Sequence, residues 1–327
     1  MATIYDVAKR AGVSTYTVSA VLNRSARVSA ELTTRVEVAV RELNYTPNAV
    51  ARSLQTRITK SIGMAIPDIG NPFYASFVRG LESRLRQDDY TVLLTSSFED
   101  EAEQTKQIAN FKARQVDGLV VVMVNGTEDT VRALVAETRP VVFAARVPVT
   151  YQADCVSADN VLGSRRAVDH LLDRGHKRVG MVIGHLSLST GAERALGWRQ
   201  ALEARGLPAP GELLAVGEWT SESGYRLTNQ LMSLAHPPTA IFGANFLILT
   251  GILRALRERG LHVPRDVQLA SSDDSEWLDA FDPPVTTVAQ PAYSIGYESA
   301  NLLLKRIQDP SRPFERIVLT PDLKVRG

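Results

Sequence analysis

The side chains best suited to binding another molecule lie in one short stretch near the N-terminus. Between Ser14 and Asn23, Val18, Val21 and Leu22 recur with the spacing of one apolar helix face. That spacing turns five residues outward: Thr15, Tyr16, Thr17, Ser19 and Ala20. Hydroxyl groups on such a face can hydrogen-bond to phosphates and base edges. Nucleic-acid binding is therefore one chemistry open to this face, and plain solvation is the alternative.

No catalytic motif occurs in the 327 residues. The sequence contains no GxxxxGK[ST] phosphate loop, no HExxH zinc motif and no GxSxG nucleophile elbow. Its single cysteine, Cys155, excludes an internal disulfide, and its five histidines are scattered. We therefore expect no catalytic residue, no metal ion and no cofactor. The rival hypothesis of a sugar-modifying enzyme has no motif in its support.

The outward-facing stretch belongs to a predicted set of three short helices. Gly12 can end a first helix, Ser14 can cap the second and Ser29 can cap the third. A three-residue turn containing glycine between two helices matches the helix-turn-helix geometry. The first helix has apolar residues at helical spacing: Ile4, Val7, Ala8 and Ala11. The pattern fits both a DNA-binding unit and an ordinary three-helix bundle.

The charge distribution favours a polyanion as the partner of these helices. Residues 1–60 contain nine Lys/Arg and four Asp/Glu, a net charge of +5, whereas the other 267 residues carry −4. A basic segment on a mildly acidic body attracts nucleic acid to that segment alone. The sequence has no apolar run of signal-peptide or membrane-span length, so we expect a cytoplasmic protein without a membrane partner.

Short apolar runs alternate with helix-length segments through the rest of the chain. Predicted strands lie near residues 61–66, 91–95, 118–124 and 140–144, and then near 178–183, 213–216, 239–243 and 267–271. Such alternation builds parallel sheets with helices on both faces. Two successive sets predict an α/β protein with two doubly wound lobes. A ligand cleft is expected between them, at the carboxyl ends of the strands.

Three blocks of sequence resemble the LacI/GalR family of bacterial transcription regulators, in the family's order and spacing. They are TIYDVAKRAGVSTYTVSAVLN, YTPNAVARSL and TKSIGMAIPDIGNPFY. The resemblance implies a helix-turn-helix head over residues 1–46, followed by a hinge helix and linker over 47–60. It also implies two lobes like those of periplasmic sugar-binding proteins, joined by three crossings. The expected lobes are residues 61–159 with 290–319, and 160–289 with 320–327.

The resemblance also implies which residues of the second helix contact DNA. The base-reading residues would be Thr15, Tyr16 and Ala20, and the phosphate-holding residues would be Thr17, Ser19 and Asn23. The family very often has arginine at the position of Ala20. Arginine can bind guanine with two hydrogen bonds, whereas alanine offers only a methyl contact, for instance to thymine. The operator is therefore expected to differ from the commonest family sequence at that step.

Residues 47–54 form the second part of the predicted DNA contact. Asn48 can cap the segment AVARSL, but eight residues make too short a helix to be stable alone in water. The resemblance implies that two such helices, one from each subunit, pack together in the minor groove. Leu54 would then be inserted between central base pairs, and Arg52 would add a salt-dependent contact.

Ten candidates for effector binding follow from the resemblance: Asn71, Phe73, Tyr74, Arg146, Thr190, Arg194, Trp219, Asn245, Asp273 and Gln290. A guanidinium such as that of Arg194 can hold ligand hydroxyls or a carboxylate, and a ring such as that of Trp219 can stack on a ligand ring. A capping, core or surface role is the alternative for each of them. The family commonly has aspartate where Ala145 and Phe246 stand. Two missing carboxylates predict a less acidic cleft, which would suit a ligand bearing a carboxylate, such as a sugar acid.

The sequence thus predicts a ligand-responsive regulator, a repressor, of a carbohydrate or related small-metabolite operon. It would bind double-stranded operator DNA as a homodimer, since helix-turn-helix dimers read pseudo-palindromic sites. A solute-binding transport protein is the rival from another class, and the basic head argues against it. A phosphocarrier protein acting as corepressor is an alternative to a small-molecule effector, and no residue decides between the two.

Overall fold

The chain divides into a small helical head, up to Thr59, and a larger α/β body from Lys60 onward. The computed structural model describes residues 2–23, 27–46, 58–124, 127–136, 139–280 and 282–326. None of the helices in those ranges is both long and apolar enough to cross a membrane. The predicted residues Asn48, Arg52 and Leu54 lie outside them.

Three helices build the head: α1 (Ile4–Ala11), α2 (Thr15–Asn23) and α3 (Ala30–Glu42). Thr3 and Asp6 form a capping box at the start of α1. The Asp6 N–H donates to Thr3 Oγ1 over 3.3 Å, and the Thr3 N–H donates to Asp6 Oδ2 over 2.8 Å. Each helix contributes a fully buried valine to one shared apolar cluster: Val7, Val18 and Val36. The predicted all-α head is confirmed.

The turn between α1 and α2 is held from both sides. Gly12 ends α1 with a φ of +65°, a left-handed conformation that glycine adopts without a steric penalty. Ser14 Oγ accepts from the Thr17 N–H over 3.1 Å and so caps α2. On the other side, Arg35 of α3 donates to the carbonyl oxygens of Ala11 (2.6 Å) and Gly12 (3.2 Å). The angle between the two helices is thereby fixed by α3.

The first lobe contains a six-stranded parallel sheet with helices on both faces. Its strands are β1 (Ser61–Ile66), β2 (Thr91–Ser96), β3 (Gly118–Val121), β4 (Val141–Ala144), β5 (Asp154–Ala158) and β11 (Arg316–Leu319), in the order β2–β1–β3–β4–β5–β11. Its helices are α4 (Pro72–Leu85), α5 (Glu101–Ala113), α6 (Glu128–Val135) and α11 (Ala292–Gln308). Helices α4 and α11 approach each other closely at Gly80. A Cβ atom at this position would lie only 2.0 Å from the carbonyl oxygen of Tyr293.

The second lobe repeats the arrangement with one antiparallel edge strand. Its strands are β6 (Val179–Ile183), β7 (Leu214–Val216), β8 (Ala240–Gly243), β9 (Gln268–Ser272), β10 (Thr286–Ala289) and β12 (Asp322–Lys324), in the order β7–β6–β8–β9–β10–β12. Its helices are α7 (Asn160–Asp173), α8 (Ser189–Ala204), α9 (Ser221–Leu231) and α10 (Phe246–Glu258). The pair β10–β12 is antiparallel. Two doubly wound lobes, as predicted from the alternation, are confirmed.

The chain passes from one sheet to the other three times: between β5 and α7, between β10 and α11, and between β11 and β12. The strand and helix beside these passages, β5 and α11, were not among the predicted elements. An ion pair joins them. Arg306 donates to both carboxylate oxygens of Asp154, over 2.7 and 3.2 Å, and the two side chains are 8% and 1% exposed. The Glu315 N–H also donates to Asp154, over 2.9 Å, which brings the start of β11 to the same carboxylate.

Replacing Asp154 by asparagine is expected to lower the free energy of unfolding by about 3–5 kcal/mol, because it leaves the buried Arg306 guanidinium without its counter-charge. Asp173→Asn is the matched control, since Asp173 pairs with Arg205 over 2.6 Å at the surface. An exposed pair contributes only about 0–1 kcal/mol. Urea unfolding of the two variants measures both values, and equally small losses would contradict a stabilising role for the buried pair.

Candidate functional site

The predicted effector residues stand where strands of the two sheets end. Asn71 and Arg146 follow β1 and β4 of the first lobe, while Trp219, Asn245 and Asp273 follow β7, β8 and β9 of the second. Parallel strands bring their carboxyl ends to one edge of a sheet, so the residues after them converge. This is the physical reason why positions far apart in sequence meet in one place.

Nine of the ten predicted residues line a single cleft between the lobes, together with Ala145. They are Asn71, Phe73, Tyr74, Arg146, Thr190, Arg194, Trp219, Asn245 and Asp273. Gln290 is not among the lining residues; it lies half-buried at the passage between β10 and α11. A larger groove beside α10 contains none of the predicted residues.

Two hydrogen bonds join the lobes across this cleft. Asn71 caps α4 by accepting from the Phe73 N–H over 3.0 Å, and its amide nitrogen donates to Asp273 Oδ2 over 3.4 Å. The Val147 N–H of the first lobe donates to Ser189 Oγ of the second over 3.0 Å. Ser189 was not predicted, because a serine at the start of a helix is ordinarily a cap.

Arg194 is held by the second lobe and faces Asp273. Its Nε donates to Asn160 over 3.1 Å, and Nη1 donates to the carbonyl oxygen of Ala244. Its nearest approach to Asp273 is 3.8 Å, which is too long for a hydrogen bond. Burial lowers the pKa of Arg194 and raises the pKa of Asp273, with each charge partly offsetting the effect on the other. Both groups therefore keep capacity for a polar ligand.

Arg146 has a carboxylate partner that the sequence prediction missed. Glu99 accepts from Arg146 Nη1 over 2.6 Å and from Nη2 over 2.7 Å. Glu99 follows the end of β2 by three residues, and this position is the one signal of it that the sequence carries. The ten predicted residues came from the family resemblance, which did not include Glu99. The expected loss of negative charge at Ala145 is thereby offset from a different loop. The sugar-acid hypothesis rested on the two missing carboxylates and did not include the carboxylate of Glu99.

Trp219 is both a core residue and a wall of the cleft. It is 2% exposed and packs with the apolar cluster of the second lobe. The guanidinium carbons of Arg146 and Arg194 lie 5.2 and 5.9 Å from its ring centroid, within the range of cation–π attraction. Gly184 makes room for the ring, since a Cβ there would lie 2.3 Å from it. The two predicted roles of Trp219, packing and ligand contact, are thus compatible.

Three buried polar atoms at the cleft lack a hydrogen-bond partner among the described residues: Thr190 Oγ1, Trp219 Nε1 and Asp273 Oδ1. Buried polar atoms of this kind are rare in native proteins, because an unmade hydrogen bond costs about 1–3 kcal/mol. Asp273 also has a φ of +66°, a strained conformation for a residue with a side chain. Unpaired buried polar atoms and strained backbone conformations are concentrated at ligand-binding sites. No cluster of His, Cys, Asp and Glu in the described ranges could hold a metal ion.

Comparison with known proteins identifies the chain. The model of the bacterial regulatory proteins of the lacI family matches residues 3–48, and that of the periplasmic binding protein-like domain matches residues 168–327. The ribose operon repressor of Escherichia coli (strain K12) is 35% identical over 329 residues, which span 100% of this chain and 99% of that protein. The chain belongs to the lacI family of bacterial regulatory proteins. It is therefore a DNA-binding, ligand-responsive regulator of transcription, as predicted, and not an enzyme.

Solved structures agree with the family. The lac repressor dimer bound to operator and the anti-inducer ONPF has a TM-score of 0.86 with this chain at 29% identity, covering 99% of this chain and 98% of that one. A LacI family transcriptional regulator from Enterococcus faecium with bound ribose has a TM-score of 0.72 at 28% identity, covering 81% of this chain and 97% of that one.

The second helix of the head, α2, agrees with the predicted outward face except at one residue. Tyr16 is 76% exposed, and Thr15, Thr17 and Ser19 are half-exposed. Ala20 is only 3% exposed, so the prediction that its methyl group points outward is wrong for the described structure. A methyl group extends little beyond the helix backbone, so the helical spacing alone does not fix its exposure. Asn23 ends α2, and its side chain lies outside the description.

Replacing Thr190 by valine tests whether its unpaired hydroxyl serves the ligand. The change keeps the shape of the side chain and removes a buried oxygen without a partner, so thermal stability should be unchanged or higher. Effector affinity should fall by about tenfold, the equivalent of one hydrogen bond. Thr228→Val is the control, because Thr228 is equally buried but donates to Gly224 over 2.7 Å. It should lose stability and keep its affinity; the reverse pattern would make Thr190 a structural residue.

Proposed function

We propose that this regulator is a cytoplasmic homodimeric repressor whose effector is a small neutral sugar of about pentose size. The observation that carries the proposal is the balance of buried charge in the cleft, where Glu99 pairs with Arg146 and Asp273 faces Arg194. A ligand with several hydroxyls can use both donors and acceptors of such a site. A ligand with a net charge would leave one of the buried groups uncompensated.

The aromatic lining of the cleft supports a sugar ring as the ligand. The ring of Trp219 and the perpendicular pair of Phe73 and Tyr74, with centroids 5.2 Å apart, offer apolar faces to a sugar ring. A ribose operon repressor and a regulator with bound ribose are among the similar proteins, so ribose is the first ligand to examine.

On the DNA side, Thr15 and Tyr16 are proposed to read bases, and Thr17, Ser19 and Asn23 to hold phosphates. Asn48, Arg52 and Leu54 are proposed to form the hinge contact in the minor groove. The exposed Tyr16 and the capped start of α2 support this assignment, because a helix enters the major groove by its N-terminal residues. Two heads related by a two-fold axis would read a pseudo-palindromic operator.

Calorimetry with matched neutral and acidic sugars tests the effector class. D-ribose should bind at least about tenfold more tightly than D-ribonate, because the carboxylate would add a third negative charge beside Glu99 and Asp273. Cellobiose and a purine base serve as controls for size and shape and should bind weakly. Tighter binding of ribonate than of ribose would overturn the neutral-sugar proposal and restore the sugar-acid hypothesis.

Leu54→Ala tests the hinge contact once an operator has been selected from random sequence. An inserted leucine unstacks and bends DNA, so its loss should weaken operator binding by about tenfold or more and reduce the bend angle. Binding to nonspecific DNA should be little affected. Arg52→Ala is the comparison, because removal of one phosphate contact should lower the salt dependence of binding by about one unit of slope. Fluorescence anisotropy and end-to-end energy transfer measure both, and an unaltered bend in the leucine variant would exclude the insertion.

A further inference from the structure

Glu99 does not line the effector cleft, but it forms an ion pair with Arg146, which does. The carboxylate of Glu99 accepts one hydrogen bond from each terminal nitrogen of Arg146. The carbonyl oxygen of Met123 accepts another from Nη1, over 3.2 Å. Three of the five guanidinium donors are thereby used within the first lobe. The donors that remain can serve ligand hydroxyls.

The pair is shielded enough for its charge to matter. The side chains of Arg146 and Glu99 are 6% and 21% exposed. Among the described residues that line the cleft, the other acidic and basic side chains are Asp273 and Arg194, which face each other. With Glu99 present the four charges cancel, and without it the cleft carries a net charge of +1. A single uncompensated charge in a buried site strongly attracts an anion.

The backbone places Glu99 with some strain. Phe98 and Glu99 have φ values of +53° and +62°, two consecutive left-handed residues that are not glycine. The Glu99 N–H donates to the carbonyl oxygen of Pro67 over 3.3 Å, and the Asp100 N–H donates to that of Ser97 over 3.0 Å. Left-handed conformations of such residues persist only when their surroundings fix them. The loop after β2 is thus set in a form that delivers the carboxylate to Arg146.

We propose that Glu99 is the positioning residue that sets the charge selectivity of the effector cleft. Glu99 holds Arg146 in a bidentate ion pair that neutralises its charge. Arg146 can then donate hydrogen bonds to sugar hydroxyls, but it does not attract a ligand carboxylate. Glu99, which follows a different strand, thereby supplies a negative charge in place of the aspartate that the family commonly has at the position of Ala145. This inference rests on the proposed neutral-sugar effector and adds the residue that makes the cleft prefer it.

The test compares Kd values for D-ribonate and D-ribose in the full-length protein and its variants. Glu99→Gln should lower the ratio of the ribonate Kd to the ribose Kd by at least about tenfold, because Arg146 becomes available to the carboxylate. Glu99→Asp keeps the charge and should preserve the ratio. Glu101→Gln removes the same charge two residues away, from an exposed side chain, and should also leave the ratio unchanged. A ratio altered less than about twofold in folded Glu99→Gln would overturn the proposal.

A second measurement needs no sugar. Sodium acetate is exchanged for sodium chloride at constant ionic strength, and Tm is followed. Acetate should raise the Tm of Glu99→Gln, because it binds the freed guanidinium and so stabilises the folded state. It should do so neither in the wild type nor in the double variant Glu99→Gln/Arg146→Gln. Absence of this acetate effect in Glu99→Gln would also overturn the proposal.

The two measurements separate this inference from the proposed effector class. An acetate effect without ribose binding would refute the sugar effector and leave the role of Glu99 standing. Ribose binding with neither an acetate effect nor a changed ratio would do the opposite. If Glu99→Gln fails to fold, Glu99→Ala takes its place in both measurements, because it also removes the carboxylate and leaves Arg146 in the cleft. A ratio altered less than about twofold in folded Glu99→Ala, or no acetate effect, would overturn the role of Glu99.

Discussion

Four charged side chains at one cleft, three of them buried and one half-buried, form the constraint on which the effector domain depends. Arg146, Arg194, Glu99 and Asp273 come from both lobes, and none can be charged and buried at low free energy without an opposite charge nearby. Each of these side chains lies near the carboxyl end of a sheet. Opposite charges therefore face each other only when the strand ends of the two sheets meet at the cleft. The fold and the electrostatics of the cleft therefore specify each other.

Much of the architecture could be predicted, and the failures have a common physical cause. The strand β1 was predicted residue for residue, because Ser61–Ile66 is a short apolar run between breakers. The strand β5 was missed because its sequence, DCVSA, contains Asp154, which is buried only by virtue of Arg306 in the unpredicted helix α11. A local pattern cannot reveal a polar residue whose partner lies 152 positions away. Nor does the periodicity of α11 help, since the helix is buried on more than one side.

The cleft shows the same division between what is local and what is not. Ten residues at or near strand ends could be placed from the family resemblance, and nine of them line one cleft. Glu99 escaped because its reach to Arg146 depends on two left-handed residues, Phe98 and Glu99, that no propensity predicts. At Ala20 the apolar spacing gave the correct helix but not the exposure of a side chain as small as a methyl group.

The three passages of the chain between the sheets have a mechanical consequence. Three tethers, between β5 and α7, β10 and α11, and β11 and β12, join the same two rigid bodies. One tether would leave the lobes free to twist and slide, whereas three restrict them chiefly to opening and closing about a single axis. An effector that closes the cleft would therefore change chiefly one angle between the lobes. A signal with one degree of freedom can be passed to a neighbouring subunit without being lost among competing motions.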